Sequence, residues 1–139
     1  MATRELHGLT PHLVVNGAAA AVEFYKAALG AVEVTRMPEE GGTRLMHVEL
    51  KIGDSLLFLC DDFPEHHGGA TRAPKPGVLP PVTLHLDVPD CDAAINRAAS
   101  AGATVNMPAM DMFWGDRYGK VTDPFGHEWS FAHPLLKAA

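Results

Sequence analysis

Very little in this chain suits an oxidising compartment, a bilayer or a polyanion. Its 139 residues include two cysteines, Cys60 and Cys91, in no CxxC arrangement. That excludes a disulfide framework and points to a reducing, cytoplasmic setting. Positive charge is in deficit: 11 Lys+Arg against 17 Asp+Glu leave a net charge of -6. Such a surface has no electrostatic attraction for nucleic acid or for an anionic membrane. No apolar run approaches the roughly 20 residues that cross a bilayer. The leading stretch from Met1 to His7 has no apolar h-region of the kind an export signal carries. A Gly-rich phosphate loop, a Ser-His-Asp order and a basic stripe are also missing. The expectation is one cytoplasmic domain over 1–139, with neither nucleic acid nor membrane among its partners.

What the chain does contain is a duplication. Leu13 to Val15 reads as a short strand, and Ala18 to Leu29 carries apolar residues at helical spacing, closed by Gly30. Val32 to Met37 supplies a further strand. Arg44 to Ile52 alternates Met46, Val48, Leu50 and Ile52 with His47, Glu49 and Lys51, and Gly53-Asp54 turns it into Ser55 to Cys60. A shift of 73 positions carries Leu13 to Leu86, Val22 to Ile95, Gly53 to Gly126, Leu56 to Trp129 and Phe58 to Phe131. Asp90 and Asp92 open the second helix, where carboxylates suit the N-terminal dipole. Thr104 to Met107 supplies its following strand. Residues 9–62 and 82–134 are therefore two copies of one βαβββ module. The Pro/Gly-rich segment 63–81 joins them, being unable to sustain helix or central strand. The predicted fold is α+β: two paired βαβββ modules form a curved mixed-sheet trough, with one helix per module on the outside.

Three pieces resemble a known family. They are Val22-Glu23-Phe24-Tyr25-Lys26 with Leu29-Gly30-Ala31, then Phe113-Trp114-Gly115-Asp116-Arg117-Tyr118-Gly119, then Asp123-Pro124-Phe125-Gly126-His127. Together they resemble the vicinal-oxygen-chelate superfamily of glyoxalases, fosfomycin- and bleomycin-resistance proteins and extradiol dioxygenases. Within it the Trp-Gly-Asp-Arg-Tyr-Gly block is most similar to the PhnB-like group. The resemblance covers about Leu9 to Pro134. It implies a homodimer whose modules pair to enclose cavities, and leaves the activity open. Metal-dependent members present His, Gln or Glu at positions that correspond here to Thr10, Leu57, Thr83 and Ser130. None of these four is a ligand for a borderline divalent metal, so the resemblance implies no metal at the usual place.

Strand parity nominates other residues. With Leu13 and Val15 facing the helix, Thr10, His12 and Val14 face the trough, and so do Thr83, His85 and Asp87. Trp129 and Phe131 face the helix, leaving Glu128 and Ser130 on the trough side, with Leu57 and Leu59 as their first-module counterparts. His12, His85 and Glu128 are thus the candidate catalytic residues. They could act as acid and base near neutral pH, or hold Zn2+ or Fe2+ displaced by about 7 Å from the usual position. Trp114, Arg117 and Tyr118 are the candidate substrate-binding residues, Arg117 as a bidentate partner for a carboxylate or phosphonate. Its alternative is a local ion pair with Asp116. Lys120 and Thr122 share the parity of Tyr118. Cys60 is expected in the core beside Leu56 and Phe58, and Cys91 in a structural place at the second helix N-terminus. Met107, Met110 and Met112 suit either core or pocket. His66-His67 reads as solvated loop, and Asp123 to Gly126 as a type I turn.

The favoured expectation is a protein that binds a small, partly apolar and partly anionic molecule in the trough with no cofactor and no catalytic metal. The alternatives are an isomerase, lyase or hydrolase working through His12, His85 or Glu128, and a dimeric structural or regulatory module with no ligand.

Overall fold

A computed structural model describes residues 6–136. The first five residues of the leading stretch, where no export signal is expected, lie outside the described part. The first module runs β1 (His12–Val15), α1 (Ala18–Leu29), β2 (Val32–Pro38), β3 (Leu45–Ile52) and β4 (Ser55–Asp61). The second runs β5 (Thr83–Asp87), α2 (Cys91–Ala101), β6 (Thr104–Asp111), β7 (Asp116–Thr122) and β8 (Glu128–Pro134). Between them the connecting segment forms one short 3-10 turn, Pro64–His66. Each module makes a four-stranded mixed sheet, in the orders β1-β4-β3-β2 and β5-β8-β7-β6. The first pair of each, β1 with β4 and β5 with β8, is parallel, and the other pairs are antiparallel. This is the predicted α+β architecture. Among the described residues no helix is long and apolar enough to cross a membrane.

Each helix covers one face of its sheet, and the two helices pack on each other. Helix α1 buries Ala18, Ala21, Val22, Phe24, Tyr25 and Ala28, a stripe of mostly small residues that admits close packing. Its start has no side-chain cap of its own, because Gly17 occupies that place in a left-handed conformation. Asp61 at the end of β4 replaces the cap. Its Oδ1 accepts the Gly17 and Ala18 N–H groups at 2.8 and 2.9 Å, and its Oδ2 accepts Leu45 N–H at 2.7 Å. A buried carboxylate thus ties β4, β3 and the α1 N-terminus together, where the helix dipole favours negative charge. In α2 the sequence supplies its own cap: Asp90 accepts Ala93 N–H at 3.1 Å.

The modules meet around Asp123, which is 3% exposed. Its Oδ2 accepts the Tyr25 hydroxyl of α1 at 2.6 Å and Trp129 Nε1–H of β8 at 2.9 Å. Its Oδ1 accepts the Phe125 and His127 N–H groups. Burial first, and then the Asp123 charge, push the Tyr25 phenol well above its ordinary value, so it stays a neutral donor. Phe24 and Tyr25 also pack against Phe125 of the β7–β8 hairpin, and His127 Nε2–H donates to the Val14 carbonyl of β1 at 2.9 Å. The Asp-Pro-Phe-Gly-His segment therefore does more than turn the chain: it locks the second module to the first.

One register expectation is overturned. The 73-residue shift holds from β1 to β5 but not for the last strand. Leu13 pairs with Leu59 and Leu86 with Phe131, so a shift of 72 carries Leu57 to Trp129, Phe58 to Ser130 and Leu59 to Phe131. Leu57 and Leu59 accordingly lie in the core, 3% and 0% exposed, and Phe58 and Cys60 take the opposite face. Because strand parity has period two, a one-residue slip exchanges the faces. Cys60 is half-buried on that open face and not in the core beside Leu56; Cys91 is buried at the start of α2.

Candidate functional site

Opposite its helix, each sheet presents an open face on which the two modules place related groups. On the second sheet, Thr83 and His85 of β5 stand in register with Glu128 and Ser130 of β8. The Thr83 hydroxyl donates to Glu128 Oε1 at 2.6 Å, and Asn106 Nδ2 donates to Oε2 at 3.1 Å. Lys120 Nζ lies 3.7 Å from Oε1. The Thr83 hydrogen bond, working against burial and aided by Lys120 and Asn106, holds the Glu128 carboxyl below its ordinary range. It is therefore a fixed carboxylate at neutral pH and not a proton donor.

His85 sits beside it with both nitrogens engaged: Nδ1 with Ser130 Oγ at 2.8 Å, Nε2 with Asp87 Oδ1 at 3.1 Å. This Asp-His-Ser chain looks like a nucleophile relay, but Ser130 is only 2% exposed. A substrate carbonyl cannot approach a hydroxyl so enclosed, which leaves the relay as a device that orients the imidazole. The ring of His85 stacks on Tyr118, with centroids 6.1 Å apart and planes at 18°. Trp114 packs edge-on to Tyr118 at 5.6 Å and is about half exposed, its Nε1–H held by Asp116 Oδ2 at 3.1 Å. His85, Tyr118 and Trp114 thus form a run of three rings bordered by Lys120, Glu128 and Thr83.

Arg117 does not join them. Alternation along β7 turns it to the helix side, where it grips Asp92 through Nε and Nη2 at 2.5 and 2.9 Å. Its Nη1 donates to Asp111 at 2.8 Å. Its fork is engaged by α2 and β6, not by its chain neighbour Asp116. Nearby, β7 carries Gly119, where a Cβ would stand 3.0 Å from both Ile95 Cδ1 and the Met107 carbonyl. That glycine lets α2 approach the strand.

His12 lies on the first sheet, not beside His85 and Glu128. Its ring packs edge-on to His47 at 5.5 Å and Phe58 at 6.0 Å, and those two rings are 4.8 Å apart. Burial, then the charges of His47 and Arg72, push the His12 imidazole below its ordinary value, so it is neutral at pH 7. Parity on β3 placed His47 on the polar side, but Phe58 was hidden by the register slip described above. With that slip removed, the first-module counterpart of Ser130 is Phe58 and not Leu57, and it too is no metal ligand. Among the described residues of one chain, no three His, Cys, Asp or Glu side chains are grouped to hold a metal ion. The three candidate catalytic residues are thus divided between two sheets.

Comparison with known proteins agrees with the fold. Residues 7–131 match the family model of the Glyoxalase/Bleomycin resistance protein/Dioxygenase superfamily. An uncharacterized protein of Mycobacterium tuberculosis is 48% identical over 127 residues, which cover 91% of this chain and 74% of that one. Among solved structures, a gene product of Arabidopsis thaliana is similar with a TM-score of 0.68 and 30% identity, covering 92% of this chain and 99% of that one. TioX from Micromonospora sp. ML1 is similar with a TM-score of 0.70 and 25% identity, covering 93% and 99%.

Proposed function

Since the chain belongs to the glyoxalase/bleomycin resistance protein/dioxygenase superfamily, we propose that it is a PhnB-like member that binds a small, partly apolar and partly anionic molecule on its open faces, without a catalytic metal. The observation that carries this reading is the run His85–Tyr118–Trp114 on the second sheet, bordered by Lys120. Stacked and edge-on rings take a flat apolar body, and a neighbouring ammonium takes an anionic end. Glu128 supports the metal-free form, since both its oxygens already accept protein donors.

The reading includes a homodimer. Among the described residues β1 and β5 are outer strands, each with one unpaired edge, and Val82 beside β5 is 64% exposed. Unpaired edges flanked by apolar surface favour pairing with a second copy. Sedimentation velocity at micromolar concentration is expected to give twice the chain mass; a monomer would remove this part of the reading.

The ligand reading is tested with 2-naphthoate, a flat ring bearing one carboxylate, observed through histidine ring signals by 13C–1H NMR. Titration is expected to shift the His85 signal, and Tyr118→Ala to weaken binding about tenfold, on the order of one buried aromatic contact. If millimolar probe moves no histidine signal on either open face, the reading fails. A second reading, acid/base catalysis by His85, is favoured by its half-exposed ring between Ser130 and Asp87.

A further inference from the structure

Arginine is the usual holder of an oxyanion, and most of the arginines described are already engaged. Arg36 pairs with Glu33, Arg44 with Glu39 and Glu65, and Arg117 with Asp92 and Asp111; Arg97 donates to the Ala27 carbonyl. Arg72 differs. Among the described residues the one polar contact of its guanidinium is His67 Nε2, at 3.4 Å.

The backbone that carries Arg72 is nevertheless fixed at Arg72 and at the two residues that follow it. Asp62, the residue after β4, accepts the Arg72 and Ala73 N–H groups on Oδ2 at 2.7 and 2.8 Å. Ala73 is buried, and the next residue, Pro74, seats on Gly126 of the β7–β8 hairpin. A Cβ on Gly126 would come within 2.6 Å of Pro74 Cβ, and its φ of 97° also favours glycine. A connecting segment with this much proline and glycine would otherwise be mobile, so anchors at Arg72 and at the two residues after it pre-position its backbone.

Through Asp62 the Arg72 backbone is held at the end of the open face of the first sheet. Phe58 and Cys60 alternate onto that face and lead to Asp62, while β1 brings His12 opposite Phe58 and Val14 opposite Cys60. Burial, then His47 and then Arg72 lower the His12 imidazole, while at Cys60 burial raises the thiol and Arg72 opposes it. That face carries the mutually edge-on rings of His12, His47 and Phe58.

We propose that the open face of the first sheet is a second binding site, selective for small ring-bearing oxyanions, in which Arg72 takes the carboxylate or phosphoryl group and the His12, His47 and Phe58 rings take the ring. Planar bidentate pairing makes arginine the suitable cation for either group. The proposal rests on the reading that the open faces take small, partly anionic molecules, and it adds the cation and the rings that do so in the first module.

The histidine NMR titration separates the two sites, because His12 and His47 report on the first sheet and His85 on the second. With 2-naphthoate or 2-naphthyl phosphate, the His12 and His47 signals are expected to shift. With neutral 2-naphthalenemethanol at the same concentration they are expected to shift little. Arg72→Gln is expected to weaken the response at His12 and His47 at least tenfold, with His85 unchanged and Arg72→Lys intermediate. Arg72 is exposed, so these variants keep the fold, as a melting curve checks. If His85 responds while His12 and His47 do not, or if Arg72→Gln binds as the parent does, this proposal is overturned and the reading of the second sheet stands. If none of the three responds, both fall.

Discussion

Replacing Asp123 with alanine is expected to lower the melting temperature by roughly 10–15 °C. Four donors converge on this one buried carboxylate: the Tyr25 hydroxyl, Trp129 Nε1–H and the N–H groups of Phe125 and His127. Alanine leaves all four without this acceptor, and the Tyr25 and Trp129 donors are buried. Breaking a buried hydrogen-bonded charge costs about 3–5 kcal/mol, and in a domain of this size each kcal/mol is worth roughly 3 °C. The donors come from both modules, so the effect is non-additive. Tyr25→Phe alone is expected to cost about 1–2 kcal/mol, and Asp123→Ala made in that background is expected to cost less than it does in the parent. Strict additivity of the two changes by thermal or urea denaturation would mean that Tyr25 and Asp123 do not share one network.

The second large effect is expected at Asp61. Asp61→Ala removes the acceptor for Gly17, Ala18 and Leu45 N–H together. Helix α1 has no cap of its own to compensate, and Gly17 can supply none. A lost N-cap alone costs about 1 kcal/mol; with the buried Leu45 N–H also orphaned, the expected loss is about 2–4 kcal/mol. The signature is local as well as global. Amide hydrogen exchange should accelerate first through Ala18 to Val22, at the start of α1. Exchange that quickens evenly over the whole chain, with no excess at α1, would show that Asp61 is not its cap.

These two carboxylates show what one sequence exposes and what it conceals. Helix α1 was legible because its apolar spacing and its closing Gly30 are local. The duplicated strand order was legible because β1 and β5 align at a single shift. The faces of β4 were not, because Leu56 to Cys60 is apolar throughout and its own alternation is silent. The parity of the second module does not carry over, because its hairpin is one residue longer between equivalent pairs: Leu50 meets Leu57, whereas Val121 meets Trp129. That one residue moved Phe58 and Cys60 to the wrong side and concealed the ring cluster around His12. Arg117 misled for another reason. Its neighbour in the chain, Asp116, points to Trp114, while the carboxylates that take its fork come from α2 and β6. Asp123 read as a turn residue, which it is; that it also accepts from Tyr25, 98 residues earlier, follows only from the fold. The rings of Trp114 and Tyr118, by contrast, were nominated from the sequence and lie together with His85.

The central claim is that these open faces bind a small ring-bearing anion through protein groups alone. The most direct measurement is the 2-naphthoate titration of the His85 ring signal in protein made without a histidine tag, before and after dialysis against EDTA, with metal content determined on the same samples. The account predicts far less than one equivalent of metal and the same Kd in both samples. One equivalent of zinc, iron, manganese or nickel, with the His85 response lost when the chelator removes it, would contradict it.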